Sequence, residues 1–304
     1  MRIGILGSRR GWHVEALRKA LERRGVPVEC FPITRLVARI SEARTSAEPR
    51  VRIEDQILEN YDAIIVRSIP AGSLEQIIFR VDVLHRLENL GVRVVNSART
   101  IERTVDKYYT SALLEDAGLP TPRTVVTERF DEAMDAFKEL GDAVVKPLFG
   151  SEGRGMVRVC DEDAAYRVFR ALELGRYVFY LQEFIPHANR DIRAFVIGGE
   201  VVAAMVRRAE GWKTNVAGGA RVEPLELSEE LRETSLKAAA VLEAEYAGVD
   251  ILKAETGGYY VTEVNGIPGW KGLQRTTDVD IAGRIVEHVV DLASSTQVGH
   301  RKSF

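Results

Sequence analysis

The sequence is poor in several features that mark particular classes of protein. It has two cysteines in 304 residues, Cys30 and Cys160, far apart and outside any C-x-x-C pattern, so neither a disulfide framework nor a zinc site is expected. No apolar run reaches membrane-spanning length. A net charge of −3 leaves no excess of positive charge to release counterions from nucleic acid. We therefore expect neither nucleic acid nor membrane as a partner.

Histidine is also scarce, and no Ser/His/Asp set stands out among the five histidines. The chain opens on Met1-Arg2-Ile3-Gly4, which leads directly into a strand, so we expect no signal peptide and a cytoplasmic location. The apolar fraction of 45% and the charged fraction of 29% are typical of globular proteins, and the length predicts two or more domains.

The first hundred residues alternate between apolar strands and amphipathic helices. The predicted elements are strands at Ile3–Leu6, Val26–Phe31, Asp62–Val66 and Val92–Asn96, helices at Trp12–Arg24 and Leu74–Leu90, and a surface loop over 41–50. This pattern predicts a parallel sheet covered by helices. Later in the chain, helices are predicted over Phe130–Leu140, over Ser228–Glu245 with Ser228 as the N-cap, and over Val279–Leu292.

Glycines after the first strand raise a second interpretation. Gly4, Gly7 and Gly11 have the spacing G-x-x-G-x-x-x-G rather than G-x-G-x-x-G, and Glu29 lies only roughly where a ribose-binding carboxylate would be. Glycines at such a turn also serve packing alone. A nicotinamide-dependent dehydrogenase is therefore the least favoured alternative.

The middle of the chain places a lysine before a glycine-rich loop. Lys107 lies in a helix predicted over Thr100–Ala117, and Lys146 ends a strand that is followed by Gly150–Gly155 and another strand. Such a loop can close over phosphates with its backbone N–H groups while lysines supply charge. A mobile surface hairpin is the equally weighted alternative.

Carboxylates and arginines gather in the last third. A hairpin is predicted from Gly248–Lys253 and Tyr259–Asn265, and a turn centred on Gly257-Gly258 pairs Asp250 with Asn265 and leaves Glu263 on the same face. Two carboxylates and an amide oxygen suit Mg²⁺. The alternative is that these are polar residues on a solvated strand face. Arg193, Arg207 and Arg208 also lie on neighbouring predicted strands. They could clamp a substrate carboxylate, or they could simply form a solvated face.

In this order, the motifs resemble the ATP-grasp carboxylate–amine ligases, and among them the RimK-type glutamate ligases. The motifs that carry the resemblance are Val145-Lys146 with Gly150–Gly155, Gln182-Glu183-Phe184-Ile185, Asp191-Ile192-Arg193, Arg207-Arg208, Ala247–Asp250, Glu263-Val264-Asn265 and Thr276–Ala282. The fold implied is the α/β ATP-grasp fold, in which a parallel α/β domain precedes two α+β subdomains that clasp ATP. The boundaries expected are 1–98, 99–184 with the lid, 185–296 with the metal site, and a tail over 297–304.

The resemblance also implies site roles. It assigns nucleotide binding to Lys107, Lys146, Gly150, Ser151, Gly153, Gly155, Gln182, Glu183, Phe184, Ile185, Asp191 and Arg193. It assigns substrate and phosphate chemistry to Arg207, Arg208, Lys213 and Asn215, and Mg²⁺ or Mn²⁺ to Asp250, Glu263 and Asn265. Lys213 stands where the family prototype has arginine, and Trp270 and Lys271 depart from the family's acceptor loop.

The activity implied is amide formation through an acylphosphate, with ATP and L-glutamate as substrates. The acceptor would carry a carboxylate and would be a coenzyme, a peptide or a carrier protein; a homo-oligomer is left open. A small-molecule kinase would instead phosphorylate its substrate without forming an amide, and a silent nucleotide-binding protein would bind ATP without turnover.

Overall fold

The computed structural model describes residues 1–40, 48–150 and 153–300. Most of the predicted loop over 41–50, the lid residue Ser151 and the terminal residues 301–304 lie outside these ranges. In the described part of the chain, no helix is both long enough and apolar enough to cross a membrane.

The first unit is built on a four-stranded parallel sheet. Its elements are β1 (Ile3–Leu6), α1 (Trp12–Arg23), β2 (Val28–Phe31), β3 (Leu36–Ala38), β4 (Val51–Ile53), β5 (Gln56–Ile57), β6 (Ala63–Val66), α2 (Leu74–Asn89) and β7 (Arg93–Val95). The strand order β2-β1-β6-β7 is parallel throughout, as predicted. β1 and β6 are fully buried because helices cover both faces of the sheet. The small antiparallel sheet β3-β4-β5 was not predicted, since strands of two or three residues give no readable alternation.

The second unit carries an antiparallel sheet of order β10-β9-β11-β8. Its elements are α3 (Ala98–Val105), α4 (Lys107–Asp116), β8 (Thr124–Thr127), α5 (Phe130–Leu140), β9 (Ala143–Lys146), β10 (Val157–Val159), α6 (Glu162–Leu174) and β11 (Phe179–Glu183). The single helix predicted over Thr100–Ala117 is wrong. Asp106 leaves the helical conformation and its side chain accepts the Tyr109 N–H, which ends α3 and begins α4.

The third unit is a five-stranded antiparallel sheet of order β14-β13-β12-β15-β16. Its elements are β12 (Arg190–Ile197), β13 (Glu200–Arg208), β14 (Arg221–Pro224), α7 (Glu229–Val241), β15 (Tyr246–Lys253), β16 (Tyr259–Asn265) and α8 (Ile281–His300). Ser228 caps α7, as predicted. The last helix runs past the predicted end at Leu292 and into the predicted tail. The helix tolerates two serines just beyond Leu292 because the hydroxyls of Ser294 and Ser295 donate to the Val290 and Leu292 carbonyls.

The first and third units share one hydrophobic core. α1 and α8 pack together, and Leu17 and Ile285 belong to the same buried cluster as Phe195 and Trp270. Asn96 also joins the two units, since its amide oxygen accepts the N–H groups of Glu245 and Tyr246. The sheet of the second unit packs with α5 and α6 in a separate core, whereas Ile101 of α3 and Leu114 of α4 belong to the cores of the first and third units. A cleft lies between that sheet and the fused body of the first and third units.

Candidate active site

A deep cleft separates the sheet of the second unit from the sheet of the third. Counted with its open mouth, it encloses about 830 Å³. The predicted site residues that line it are Lys107, Lys146, Gly150, Gly153, Gln182, Glu183, Phe184, Ile185, Asp191, Arg207, Lys213, Asn215, Asp250 and Glu263. The folding of distant segments thus brings most of the predicted site together.

Two lysines enter the cleft from different elements. Lys107 is the first residue of α4, and its Nζ donates to the Gly150 carbonyl at 2.7 Å. Lys146 ends β9, and its Nζ donates to Gln182 Oε1 at 2.6 Å. Burial lowers the pKa of both ammonium groups, that of Lys146 to about 8, while the Glu263 carboxylate acts in the opposite direction. Positive charge held in a partly desolvated cleft suits phosphate oxygens.

The glycine-rich loop between β9 and β10 touches both sides of the cleft. Gly153 has a φ of +69°, and a Cβ there would overlap the Asn215 side-chain oxygen. Lys213 Nζ donates to the Met156 carbonyl at 2.7 Å. Gly155 belongs to the loop but not to the cleft lining, because it packs against Pro147. The described residues of this loop therefore border the cleft, and Lys107, Lys213 and Asn215 contact them.

The edge predicted to receive adenine is formed by the end of β11. The N–H groups of Glu183 and Phe184 already donate to the carbonyls of Arg123 and Asp142, so neither N–H is available to a base. The Arg158 guanidinium lies 3.5 Å from the centroid of the Phe184 ring. The resemblance implies that the Glu183-Phe184 backbone binds adenine; with both N–H groups engaged, this prediction falls on the backbone carbonyls.

Two aromatic residues beside Phe184 were not among the predicted site residues. His187 and Trp212 both make edge contacts with the Phe184 ring and both line the cleft. The two ring nitrogens of His187 face the carbonyls of Ile185 and Trp212. No sequence pattern singles out these two residues, because a lone histidine and a loop tryptophan have no characteristic spacing.

Under the cleft, four charged side chains form a buried network. Arg193 makes a two-pronged contact with Asp250, with Nη2 2.6 Å from Oδ2. Arg207 does the same with Asp191, and its Nη2 also lies 3.0 Å from Asp250 Oδ1. Burial opposes ionisation of Asp250, but the two guanidinium groups outweigh it and lower its pKa; at Asp191 burial prevails and the pKa is raised.

This network corrects the predicted substrate clamp. Arg193 donates to Asp250 and is absent from the cleft lining. Arg207 lines the cleft, but it donates from Nε and Nη2 to carboxylates of the protein. Arg208 does not lie in the cleft: it is exposed and pairs with Glu223 at 3.0 Å. Neighbouring residues on a strand point to opposite faces, so Arg207 and Arg208 could not both enter it.

The β15–β16 hairpin has a different register from the predicted one. Asp250 pairs with Glu263 rather than Asn265, and Asn265 pairs with Gly248. The turn covers five residues, and the ladder shifts between Asp250 and Ile251, leaving Thr262 unpaired as a bulge. The register changed by two residues, so the three oxygen-bearing side chains still share one face.

The resemblance implies a metal ion held by Asp250, Glu263 and Asn265. The Glu263 carboxylate lines the cleft and accepts no hydrogen bond from the described residues, so its oxygens fit a hard cation. Asn265 Nδ2 is buried without a partner, but Nδ2 is a donor, so only the amide oxygen of Asn265 could bind the cation. The Asp250 oxygens already accept guanidinium donors, and the described residues contain no cluster of three or more His, Cys, Asp or Glu side chains suited to a metal.

Comparison with known families places both parts of the chain. Residues 1–101 match the RimK PreATP-grasp domain, and residues 104–289 match the RimK-like ATP-grasp domain.

Curated relatives extend this likeness over nearly the whole length. A tetrahydromethanopterin:alpha-L-glutamate ligase of Methanocaldococcus jannaschii is 36% identical over 302 residues, covering 97% of this chain and 100% of that protein. One of Methanosarcina acetivorans is 34% identical, covering 92% and 96%. The alpha-aminoadipate–LysW ligase LysX of Sulfolobus acidocaldarius is 38% identical but covers only 66% of this chain and 74% of its own.

Solved structures share the fold at lower identity. The ATP-grasp ligase PsnB, complexed with minimal precursor, Mg and ADP, has a TM-score of 0.73 at 24% identity and covers 96% of this chain and 98% of its own. A RimK domain protein from Sphaerobacter thermophilus has a TM-score of 0.71 at 21% identity, covering 95% and 100%.

Proposed function

This chain belongs to the RimK-like ATP-grasp family, and from that premise we propose that it joins L-glutamate to a carboxylate of a tetrahydromethanopterin-type coenzyme. It is an ATP-grasp ligase that forms a C–N bond. We choose a coenzyme over a carrier protein as the acceptor because of how much of the chain each relative matches. The tetrahydromethanopterin ligases align over nearly the full chain, whereas the LysX relative aligns over two thirds of it.

One observation carries the proposal. Lys107 and Lys146 enter one cleft from separate elements, opposite the Glu263 carboxylate and beneath a glycine-rich loop. Two cations and an oxygen ligand that accepts no described hydrogen bond form a site for a polyphosphate with its metal. Neither a hydride donor nor a side-chain nucleophile is needed for that chemistry.

The reaction takes place in two steps. An oxygen of the coenzyme carboxylate attacks the γ-phosphorus of ATP, the bond to the β-phosphate oxygen breaks, and ADP leaves with an acylphosphate formed. The neutral amine of glutamate then attacks the acyl carbon, phosphate departs and the amine proton is lost. The products are amide, ADP and phosphate.

The protein's contribution is position and charge. Lys107 and Lys146 bind the phosphates, and Gln182 orients Lys146 through the 2.6 Å contact with its Nζ. Glu263 and Asn265 would hold Mg²⁺, which supplies charge neutralisation on the phosphates when bound. Lys213 and Asn215 line the same cleft, where they would contact the transferred phosphate. The covering loop excludes water from the acylphosphate.

The direct test incubates the protein with ATP, Mg²⁺, ¹⁵N-labelled L-glutamate and tetrahydromethanopterin. We expect a labelled coenzyme heavier by one glutamyl unit, with ADP formed in equal amount. A phosphorylated coenzyme without glutamate would favour the kinase. AMP and pyrophosphate would indicate adenylation. No product with this coenzyme, but product with a carrier protein or peptide, would overturn the choice of acceptor.

A further inference from the structure

One face of the sheet in the second unit carries Lys146 and Gln182 into the cleft. On β11, Tyr180 lies opposite Lys146 of β9, and Gln182 lies opposite Thr124 of β8. Side chains alternate along a strand, so these four residues share one face, while Leu181 belongs to the apolar core on the other. The polar face therefore places an amide and two hydroxyl groups beside the Lys146 ammonium.

The hydrogen bonds of Gln182 determine which way its amide points. The Lys146 ammonium can only donate, so the atom that it meets at 2.6 Å is the amide oxygen. The amide nitrogen lies 3.1 Å from Thr124 Oγ1 and 3.3 Å from the Tyr180 hydroxyl oxygen. Thr124 donates its own proton to the Pro122 carbonyl at 2.9 Å, so its oxygen is left to accept from Gln182. Both ends of the amide thus require the same orientation.

The chain of hydrogen bonds continues to α4 through Tyr180. Its hydroxyl accepts from Gln182, so its own proton is available to Ser111 Oγ, 3.1 Å away. Burial raises the pKa of Tyr180, so this hydroxyl stays protonated at neutral pH. Ser111 lies about one turn after Lys107, the first residue of α4. The helix that begins with one cleft lysine is therefore linked to the strand that ends with the other.

Thr124, Tyr180 and Ser111 act from outside the cleft. They are absent from its lining, and Tyr180 and Ser111 are buried, so these side chains do not meet a nucleotide. Their effect on the cleft passes through Gln182. If the Gln182 amide turned over, its NH₂ group would face the Lys146 ammonium, and the ammonium would lose its acceptor.

We propose that Thr124 and Tyr180 are positioning residues for the phosphates of ATP. They hold the Gln182 amide so that its oxygen meets the Lys146 ammonium, and Ser111 anchors this arrangement to α4. This inference rests on the phosphate-binding role that the proposed function gives to Lys146, and it deepens that role. Lys146 touches the nucleotide, whereas Thr124 and Tyr180 act through Gln182.

The test measures binding of the ATP analogue AMPPNP with Mg²⁺ by calorimetric titration. Thr124→Val keeps the side-chain shape and removes the hydroxyl, so at pH 7 the Kd should rise about tenfold, as expected when a contact to a charged group is lost. Thr124→Ser keeps the hydroxyl and should stay within about twofold of wild type. Tyr180→Phe should raise the Kd about threefold, less than Thr124→Val because its bond to Gln182 is longer.

The pH dependence of binding separates a positioning role from a merely structural one. Burial lowers the pKa of Lys146 to about 8, and the amide oxygen favours its charged form. Without that oxygen the ammonium loses its proton more readily, so the rise of Kd with pH should begin about one pH unit lower in Thr124→Val than in wild type. A substitution that only loosened the fold would lower the Tm and leave the onset of this rise unchanged.

A double variant tests whether Thr124 acts through Gln182. In a Gln182→Ala background, Thr124→Val should change the Kd by less than about twofold, because the amide that it orients is gone. Thr127→Val on the same strand is the matched control: the Thr127 hydroxyl accepts the Arg129 N–H instead, and AMPPNP binding should equal that of wild type.

If Thr124→Val does not fold, Tyr180→Phe carries the test, with Tyr177→Phe as the exposed control. Wild-type Kd and wild-type pH dependence in the folded variants would overturn this inference, as would a full effect of Thr124→Val in the Gln182→Ala background. A wild-type protein that binds AMPPNP but ligates no glutamate would overturn the proposed function alone. A wild-type protein that does not bind AMPPNP would overturn both.

Discussion

Asp191, Arg193, Arg207 and Asp250 lie on neighbouring strands under the cleft, and each is less than a tenth exposed. Two positive and two negative side chains compensate one another there, which is the condition under which buried charge is tolerated. The sequence places these residues in one region but does not show that they bind each other. Their pairing depends on the strand register. That register follows from the length of the β15–β16 turn and from a bulge, and no residue pattern predicts either.

Two adjacent arginines, one inside the buried network and one outside it, test whether the network stabilises the fold. Arg207→Ala leaves buried carboxylates without their partner, so we expect it to lower the free energy of unfolding by about 3–5 kcal/mol. Arg208→Ala removes only an exposed pair with Glu223 and should change it by about 0.5 kcal/mol or less. Urea unfolding followed by circular dichroism measures both. Similar values for the two variants would contradict the buried network.

Lys146 gives the site a pH dependence. Its pKa is lowered to about 8, so the ammonium is charged below that pH and loses its proton above it. Binding of an ATP analogue should therefore weaken as the pH rises through about 8, with Kd increasing by up to about tenfold per pH unit. Arginine stays protonated over that range, so Lys146→Arg should abolish this rise of Kd with pH. Calorimetric titrations between pH 7 and 9.5 measure it, and a wild-type Kd that does not change over this range would refute the role of Lys146.

Glu263 tests the metal site. Glu263 is the cross-strand neighbour of Asp250 in the hairpin, and its carboxylate raises the pKa of both cleft lysines against the effect of burial. Glu263→Gln should lower turnover by about 100-fold or more, because a charged oxygen ligand is lost. The fold should persist, with Glu233→Gln on α7 as the exposed control. Near-normal turnover at millimolar Mg²⁺ would show that Glu263 does not bind the metal.

At the scale of elements, the covering loop acts through its backbone. Gly153 has the left-handed conformation against Asn215, so Gly153→Ala combines strain with a clash. We expect it to raise the KM for ATP and lower kcat. Gly211→Ala, where a Cβ meets nothing within 4 Å, is the matched change and should leave both constants near wild type. Equal kinetics for the two alanine variants would mean that the loop does not need this conformation.

The helices and strands show which features local sequence patterns can predict. Apolar runs and helical periodicity predicted the parallel sheet, the helix Phe130–Leu140 and the cap at Ser228, because these depend on local chemistry. The break at Asp106 was missed, since an aspartate that caps one helix looks like a polar residue inside a longer one. Arg208 was misplaced because side-chain alternation assigns only one of two adjacent residues to the cleft.

In the whole molecule, the shared core of the first and third units could not be predicted from the sequence. Leu17 and Ile285 are far apart in the chain and pack in one cluster, and no local pattern predicts such a contact. Trp270 was predicted to bear on acceptor choice through its loop. The structure buries it in that core, and Lys271 beside it is the exposed residue. The resemblance supplied the global arrangement because it rests on the order of motifs rather than on any one of them.

We propose that this cleft activates a carboxylate as an acylphosphate. Incubation of the protein with ATP, Mg²⁺, L-glutamate and tetrahydromethanopterin whose carboxylates carry ¹⁸O shows whether a carboxylate oxygen passes to phosphate. The reaction predicts that each glutamyl amide formed transfers one ¹⁸O atom to inorganic phosphate, with ADP as the nucleotide product. Amide formed while the phosphate stays unlabelled, or ¹⁸O recovered in AMP, would contradict it.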